Sequence, residues 1–298
     1  MTRTSKKQRM VLRTTAVKGE SRTACELLAE GTGLSKLRIK DAMQKGAVWL
    51  ARPGTSEKRL RRVSAVLRAG DVATLYYDGQ LLARIPPRAD CRQDAGRFSI
   101  WFKPAGLMTQ GTRFGDHCSL LRQAEVFLRS RRGAFLVHRL DREASGLVVI
   151  AHDRAAAGAL SRIFAERRIV KRYRVEIRGR IGVESASGRI DLPLDGKPAV
   201  TEYTLVSHDA AADISVVDVV MQTGRKHQIR RHFALAGFPV MGDPSYGKNN
   251  KNATGLKLTA YGLEFTCPFT GQSLKFLLEE ILHVQGQRDV PESGRHTV

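Results

Sequence analysis

The sequence has few cysteines and no long apolar segment, and each shortage excludes a class of protein. The four cysteines form no C-x-x-C pair and have no close partner in the chain, so neither a disulfide framework nor a zinc site is expected. No run of about 18 apolar residues occurs, and the basic N-terminus lacks the apolar core of a signal peptide. We therefore predict a cytoplasmic protein in a reducing compartment.

Motifs that bind nucleotides or metals are also missing. There is no Gly-x-x-x-x-Gly-Lys phosphate loop and no glycine fingerprint of a dinucleotide site, which argues against ATP-driven and redox chemistry. His227 and His232 are five positions apart, so they do not share a helical face as metal ligands would. We expect neither a metal nor a cofactor.

Acidic residues are scarce relative to basic ones. Fifty Lys and Arg stand against 29 Asp and Glu, which gives a net charge of +21 and a pI near 10.4. Such an excess predicts a polyanionic partner, and nucleic acid is the first candidate. An anionic membrane surface is the alternative, but no long basic helix with a wide apolar face supports it.

The most informative stretch is HRLDREASGLVVIA at residues 138–151. Its five apolar residues after Gly146 predict a short buried strand, so the charged residues before them lie at the rim of a core. Asp141 stands between Arg139 and nearby Arg142, and these cations favour its ionised form. It is a candidate functional carboxylate, and the alternative is a surface turn with an ordinary salt bridge.

Composition predicts five segments along the 298 residues. A basic arm (1–18) precedes a small compact unit (19–82), a turn-rich linker (83–96), a large domain (97–285) and a flexible tail (286–298). In the small unit we predict a helix near Cys25, a second helix capped by Ser35, and strands at 47–50 and 72–77. The large domain is long enough to bury its own core.

Several elements of the large domain follow from periodicity. A strand from Ile100 ends at Lys103, and Asp153 can cap a helix. Residues 171–179 alternate, with Tyr173 on the apolar face, where it either packs in the core or lines a cleft. Residues 256–276 are predicted to form a hairpin. Thr223 or Gly224 is predicted to begin a helix that carries four cationic residues: Arg225, Lys226, Arg230 and Arg231.

Three blocks, in this order, resemble the RluA-type pseudouridine synthases: HRLDREASGL (138–147), KRYRVEIRG (171–179) and TGRKHQIRRHFALAGFPVMGDPSYG (223–247). FKPAGL (102–107) and LPLDGKPAVTEY (192–203) support the resemblance, which spans about 100–276. The family usually has Thr at position 144 and often Asn at position 102, where this chain has Ala144 and Phe102. Neither departure removes a group assigned to chemistry.

The resemblance implies an α+β fold with a mixed, mainly antiparallel sheet, flanking helices and an RNA cleft. It also implies isomerisation of uridine in RNA to pseudouridine, which needs no cofactor because nothing is oxidised and no group is lost. Asp141 would be the catalytic carboxylate, and it would attack the sugar, attack the base or remove a sugar proton. Arg230 would be its ion-pair partner, with Arg225 as the second choice.

The other site residues also come from the resemblance. Tyr173 would stack on the target uracil and Ile229 would pack against the pocket. Arg139 would enter the gap left by the flipped nucleotide, since a guanidinium plane can stack where a base stood. Lys103 is grouped with the RNA-binding residues and would mainly support the pocket.

Residues 34–50, LSKLRIKDAMQKGAVWL, resemble the RNA-facing part of the S-four-like module, a small α/β RNA-binding unit. Lys36, Arg38 and Lys40 would contact RNA there. Where that family commonly has a short turn after the strand, this chain has the basic insertion ARPGTSEKRLRR at 51–62. The alternative is a helical capping subdomain with a solvated charged face.

Two other functions compete with the synthase hypothesis. A non-catalytic RNA-binding protein would use charge and the small unit alone, without needing Asp141. A glycoside hydrolase or nucleosidase would need a second carboxylate across the glycosidic bond, and would release a base. We expect a monomer without an obligate protein partner that acts on large-subunit ribosomal RNA, or else on transfer RNA.

Overall fold

The structure is a computed structural model and describes residues 9–17, 21–129, 132–182 and 185–282. The chain divides into two compact units. The first comprises Met1–Arg142 and Val148–Ala157, and the second comprises Glu143–Leu147 and Gly158–Val298. This division differs from the predicted boundary at 83–96, because the first unit continues well into the predicted large domain. Within the described ranges, no helix is both long and apolar enough to span a membrane.

The N-terminal part of the first unit packs helices on a four-stranded sheet in the order β1-β4-β2-β3, and every pairing is antiparallel. Ser35 caps α2 by accepting the N–H of Arg38, and Ile39 and Met43 are fully buried, as predicted. The elements are β1 (Arg9–Thr15), α1 (Ala24–Thr32), α2 (Lys36–Gln44), β2 (Val48–Ala51), β3 (Lys58–Arg59), β4 (Val72–Asp78) and α3 (Gly79–Leu82).

The predicted N-terminal arm differs from the structure. Residues 9–15 form β1, which pairs with β4 along its whole length. Met10 and Leu12 pack against the core while Arg9 and Arg13 remain exposed. Val11 occupies an exposed position between Met10 and Leu12, so three apolar residues in a row conceal this alternation in the sequence. Residues 1–8 lie outside the described part of the chain, as does the predicted tail at 286–298.

The predicted linker also contains a strand. The first unit continues with β5 (Asp90–Asp94), β6 (Phe98–Lys103), α4 (Leu120–Phe127), β7 (Phe135–Leu136) and the end of β8 (Ser145–Ala151). β5 pairs antiparallel with β6, and its mostly polar, exposed residues give no apolar alternation that the sequence could reveal. The buried strand predicted after Gly146 is confirmed as β8, whose residues 146–151 are all buried. Asp153 caps α5 (Arg154–Ala165) as predicted, since its carboxylate accepts the N–H of Ala156 at 2.7 Å.

In the second unit the strands neighbour one another in the order β10-β11-β12-β9-β13, and each of these pairings is antiparallel. Ser145 and Gly146 pair parallel with β13, so the mixed, mainly antiparallel α+β class is confirmed. The predicted hairpin at 256–276 is also confirmed, as β13 and β14. The elements are β9 (Ile169–Arg178), β10 (Ser187–Asp191), β11 (Val200–Asp209), β12 (Ile214–Met221), α6 (Gln228–Leu235), β13 (Leu258–Thr266), β14 (Ser273–Leu277) and α7 (Glu279–Leu282).

Gly146 is the residue that lets β8 approach β13. Its φ is +123°, and a Cβ atom at this position would lie 2.2 Å from the carbonyl oxygen of Ala260. Only glycine fits such a contact without moving the backbone. Five residues after Asp141, two backbones are therefore in such close contact that there is no room for a side chain.

Candidate active site

Asp141 is half-buried, and the backbone on its N-terminal side is fixed by one hydroxyl. The Leu140 N–H donates to Oγ1 of Thr109 at 3.1 Å, and the same hydroxyl donates to the Leu140 carbonyl at 2.7 Å. Thr109 is itself buried, with 4% of its surface exposed. Because both backbone polar groups of Leu140 are used, the peptide that precedes the carboxylate has one orientation.

The backbone on the C-terminal side of Asp141 is fixed as well. The carbonyl of Arg142 accepts the N–H of Gly106 at 2.7 Å and the ammonium of Lys103 at 3.3 Å. Gly106, in the turn after β6, has a φ of +85°, which glycine adopts without strain. The carboxylate thus projects from a turn that is held at both neighbouring residues.

Lys103 is fully buried at the end of β6. Its ammonium donates to the carbonyls of Pro104 at 3.1 Å and Leu107 at 2.8 Å as well as to Arg142. A buried charge of this kind needs such hydrogen bonds to offset its desolvation. The placement agrees with the supporting role but differs from direct RNA contact, because the side chain has no exposed surface.

Arg139 is exposed, next to the buried Leu140. The preceding His138 accepts the N–H of Val149 on β8 through Nε2 at 2.9 Å, so the first residue of the motif is bound to the strand that follows it. This hydrogen bond closes the segment into a compact loop. Arg139 therefore extends from an anchored backbone.

In the second unit, Tyr173 lies in the middle of β9, opposite Val219 of β12 and Ala260 of β13. It is 9% exposed, and Val175 and Ile177 follow on the same buried face as predicted. Ile229 is 3% exposed at the start of α6. Both apolar side chains are thus held by the packing of their elements.

Arg230 forms a buried, bidentate ion pair with Asp243. Its Nε donates to Oδ2 of the carboxylate at 2.7 Å and its Nη2 donates to Oδ1 at 2.8 Å, and the side chains are 1% and 0% exposed. Oδ1 also accepts the N–H groups of Ser245 and Tyr246 at 2.8 and 3.1 Å. Burial alone would raise the pKa of Asp243, but these hydrogen bonds outweigh it and hold the pKa below its ordinary value.

Asp243 is the residue that sequence reasoning missed. It lies in GDPSYG at the end of the third block, where an Asp that accepts backbone N–H groups two and three residues later is a recognisable turn signal. The pairing of Arg230 with Asp141 is a different contact and stays a prediction.

The start of α6 differs from the prediction. The helix begins at Gln228, and His227 before it has a φ of +52°. The side-chain carbonyl of Gln228 accepts the hydroxyl of Thr223 at 2.8 Å and the N–H of Arg225 at 2.9 Å. These bonds fold 223–227 into a loop, so a helix start at Thr223 or Gly224 was wrong, and Arg225 and Lys226 are not helical.

Arg225, the second choice for a partner of the carboxylate, is half-buried in this loop. Its Nε donates to the carbonyl of Pro198 at 3.1 Å. The residue thus ties the loop before α6 to the segment before β11, and this gives it a structural role of its own.

The three basic residues predicted for RNA contact in the N-terminal unit are all exposed on α2: Lys36, Arg38 and Lys40. Lys36 lies 3.2 Å from a carboxylate oxygen of Glu26, and exposed pairs of this kind contribute little to stability. Among the described residues no group of three or more His, Cys, Asp or Glu could hold a metal ion.

Comparisons with known proteins agree with this arrangement of motifs. Residues 97–235 match the family model described as RNA pseudouridylate synthase. A protein of Aquifex aeolicus named as an uncharacterized RNA pseudouridine synthase is 29% identical over 297 residues, which cover 89% of this chain and 92% of that protein. The dual-specificity RNA pseudouridine synthase RluA of Escherichia coli is 34% identical over 194 residues, which cover 58% of this chain and 85% of that enzyme.

The fold is shared with a solved structure. Human RNA pseudouridylate synthase domain containing 1 superposes with a TM-score of 0.55 at 24% identity, covering 64% of this chain and 83% of that one. Identity this low supports the fold alone. The Escherichia coli enzyme is 34% identical to this chain over 85% of its own length. This chain therefore belongs to the RluA-type RNA pseudouridine synthases, which are isomerases.

Proposed function

We propose that this RNA pseudouridine synthase uses Asp141 as its catalytic carboxylate. The observation that carries the proposal is the fixation of the backbone at Leu140 and Arg142, the residues on either side of Asp141. A reacting group held in this way has lost most of its conformational freedom before substrate arrives, and orientation of this kind lowers the barrier of the chemical step. The carboxylate acts in its ionised form on the sugar or on the base.

Arg230 is the proposed ion-pair partner of Asp141. Asp243 takes Nε and Nη2 of the guanidinium, so the plane of the group is fixed. An adjacent cation favours the ionised carboxylate. Arg225, with Nε on a carbonyl, is the less favoured partner.

The remaining roles concern the target nucleotide. Tyr173 stacks on the uracil, Ile229 packs against the pocket, and Arg139 enters the space left in the RNA when the nucleotide flips out. The exposure of Arg139 and the burial of Ile229 support these roles. Lys36, Arg38 and Lys40 add phosphate contacts from the S-four-like module.

For the substrate, we propose large-subunit ribosomal RNA, with transfer RNA as the alternative. The net charge of +21 and the exposed basic face of α2 favour a large, structured RNA. The Escherichia coli relative is named as a dual-specificity enzyme, so more than one RNA should be examined. We further propose that the protein is a cytoplasmic monomer without a protein partner. Light scattering of the purified protein measures its mass in solution and so tests whether it is a monomer.

The experiment compares wild type with Asp141→Asn and with the control Asp90→Asn, which neutralises an exposed carboxylate. Pseudouridines are mapped in ribosomal and transfer RNA from cells lacking the gene, after each purified protein has been added. Wild type and the control should form pseudouridine, whereas folded Asp141→Asn should form none and bind RNA equally well or slightly better, since affinity rests on cations. Appreciable product from a folded Asp141→Asn protein refutes the role of Asp141.

Product analysis also separates the competing functions. A non-catalytic RNA-binding protein forms no pseudouridine in any of the three samples. A hydrolase releases free base, and an isomerase releases nothing. The identity of the modified RNA in the wild-type sample decides between the two proposed substrates.

A further inference from the structure

The inference concerns a loop at residues 107–119, which we name the clamp loop. Its two ends are tied together, because Met108 donates to the carbonyl of Cys118 at 3.1 Å and accepts the N–H of Leu120 at 2.8 Å. Its tip is a tight turn in which Thr112 and Gly115 exchange hydrogen bonds of 2.9 and 3.1 Å. The loop is therefore a compact body with a defined tip and base.

The tip packs on the sheet of the N-terminal module. The Asp116 N–H donates to the carbonyl of Lys45, after α2, at 3.0 Å, and the indole N–H of Trp49 on β2 donates to the carbonyl of Arg113 at 3.0 Å. The guanidinium of Arg113 lies 5.4 Å from the ring centre of Tyr76 on β4. These contacts combine hydrogen bonds with stacking of a cation on an aromatic ring.

Two arginines of the basic insertion at 51–62 also hold the tip. Arg59 places Nε 3.0 Å from Oδ2 of Asp116 and donates from Nη2 to the carbonyl of Thr112 at 2.7 Å. Arg61 pairs with the same carboxylate and donates from Nη1 to the carbonyl of Gln44 at 2.7 Å. The Asp116 side chain is only 12% exposed.

The insertion is where the sequence departs from the S-four-like pattern, and its charge alone would suggest RNA contact. The guanidinium groups instead donate to carbonyls and a carboxylate of the protein, and their side chains are 20% and 25% exposed. Their partners belong to α2 and its following turn on one side and to the clamp loop on the other. The insertion thus connects the module to the loop.

The base of the clamp loop carries Thr109, whose hydroxyl fixes both backbone groups of Leu140. The backbone of the clamp loop therefore links the ion pairs at Asp116 to the hydrogen bonds between Thr109 and the residue before Asp141. We propose that the N-terminal module positions Asp141 through the clamp loop, with Arg59, Arg61 and Asp116 as positioning residues. The proposal rests on the proposed catalytic role of Asp141.

This role goes beyond the RNA contacts predicted for Lys36, Arg38 and Lys40, which would make the module a source of affinity alone. If it supplied affinity alone, damage to its contact with the clamp loop would weaken RNA binding and leave the rate at saturating RNA unchanged. If it positions Asp141, the same damage lowers that rate. A displacement of about 1 Å of a reacting group can cost about a hundredfold in rate.

The test uses the full chain with Asp116→Asn, Arg61→Ala and the double variant. Glu30→Gln is the matched control, because it neutralises an exposed carboxylate that pairs with Arg22 in the same module. Single-turnover rates are measured at saturating RNA, and RNA affinity is measured across a salt series. Folding is checked by thermal unfolding.

We expect each single variant to lower the saturated rate by about tenfold to a hundredfold, and the double variant to be little worse, since both act on one contact. The salt dependence of RNA affinity should stay unchanged, whereas loss of a phosphate contact would reduce its slope by about one. The control should match wild type. An unchanged saturated rate in folded Asp116→Asn overturns the proposal. A variant whose only change is a weaker salt dependence of RNA affinity overturns it as well.

A second measurement does not depend on turnover. Hydrogen exchange of the Leu140 amide, which is bonded to Thr109, should be faster in Asp116→Asn than in wild type. Equal exchange rates refute the coupling. Wild-type protein that forms no pseudouridine refutes the proposed function instead, while the exchange comparison still decides the coupling.

If Asp116→Asn fails to fold, the base of the loop offers the alternative variant. Thr109→Val removes the hydroxyl with little change of shape and should lower the saturated rate, whereas Thr109→Ser keeps the hydroxyl and should restore most of it. Equal rates for Val and Ser at position 109 contradict the proposal.

Discussion

Replacing Asp243 by asparagine should destabilise the protein far more than an ordinary surface substitution. The carboxylate accepts two N–H groups of Arg230 and two backbone N–H groups, and both side chains of the pair are almost fully buried. Asparagine keeps one acceptor oxygen but places an NH₂ group among donors. The guanidinium of Arg230 cannot escape the resulting uncompensated charge by losing a proton, because arginine stays protonated in proteins.

The size of the effect follows from this burial. Removing one partner of a buried ion pair costs about 3–5 kcal/mol, because the other charge is left uncompensated. If Asp141 also pairs with Arg230 as proposed, the second carboxylate keeps part of the compensation, and the loss should lie near the lower end. The total stability of a protein is about 5–15 kcal/mol, so even that value is a large fraction.

Urea unfolding at neutral pH, followed by circular dichroism, measures the change in the free energy of unfolding. The control is Asp195→Asn, which breaks the ion pair of Asp195 with the adjacent Arg231 of α6. The Asp195 side chain is 72% exposed, so the control should lower the free energy of unfolding only slightly. A loss for Asp243→Asn no greater than that for the control would show that burial of the pair contributes nothing.

Two further predictions concern buried cationic or titratable groups. Burial lowers the pKa of His232 below 6.5, so the unfolded state takes up its proton first and the free energy of unfolding should fall as the pH decreases below 6.5. The slope of this free energy against pH should be up to about 1.4 kcal/mol per pH unit and smaller in His232→Gln. Urea unfolding across a pH series measures both slopes, and equal slopes for the two proteins would contradict the prediction. Lys103→Met should cost about 1.5–3 kcal/mol and lower the rate without altering the salt dependence of RNA binding, because the ammonium is buried among carbonyls; a reduced salt slope would instead indicate an RNA contact.

The fold could be predicted where apolar residues follow a period. The buried face of β9, the strand after Gly146 and the cap at Ser35 all follow from local patterns that tertiary contacts reinforce. The strands β1 and β5 could not be predicted, because each is mostly polar and is stabilised by pairing with a neighbouring strand. Such pairing leaves little trace in the strand's own sequence.

The sequence motifs of the candidate site could be predicted, but the hydrogen bonds and ion pairs that hold its residues in place could not. The position of Arg230 came from a motif, but its pairing with Asp243 joins residues 13 positions apart across a helix end and a turn. The start of α6 was misplaced because His227 has a left-handed φ of +52°, which a helical residue does not adopt, and nothing in the sequence indicates this conformation. Bonds from a side chain to a distant backbone have no periodicity, so no local pattern indicates them.

The same physical difference bears on the catalytic role that we propose for Asp141. Its backbone is held by Thr109 and Lys103, which are buried and bond to carbonyl or N–H groups, so substrate RNA has no need to order the turn. In the proposed division of roles, contacts with RNA phosphates fall instead to exposed cations such as Lys36 and Arg38, whose loss should weaken binding. Substitutions of the buried supports should therefore change the rate at saturating RNA, and substitutions of the exposed cations should change the affinity. A buried support whose loss changes only affinity would contradict this division.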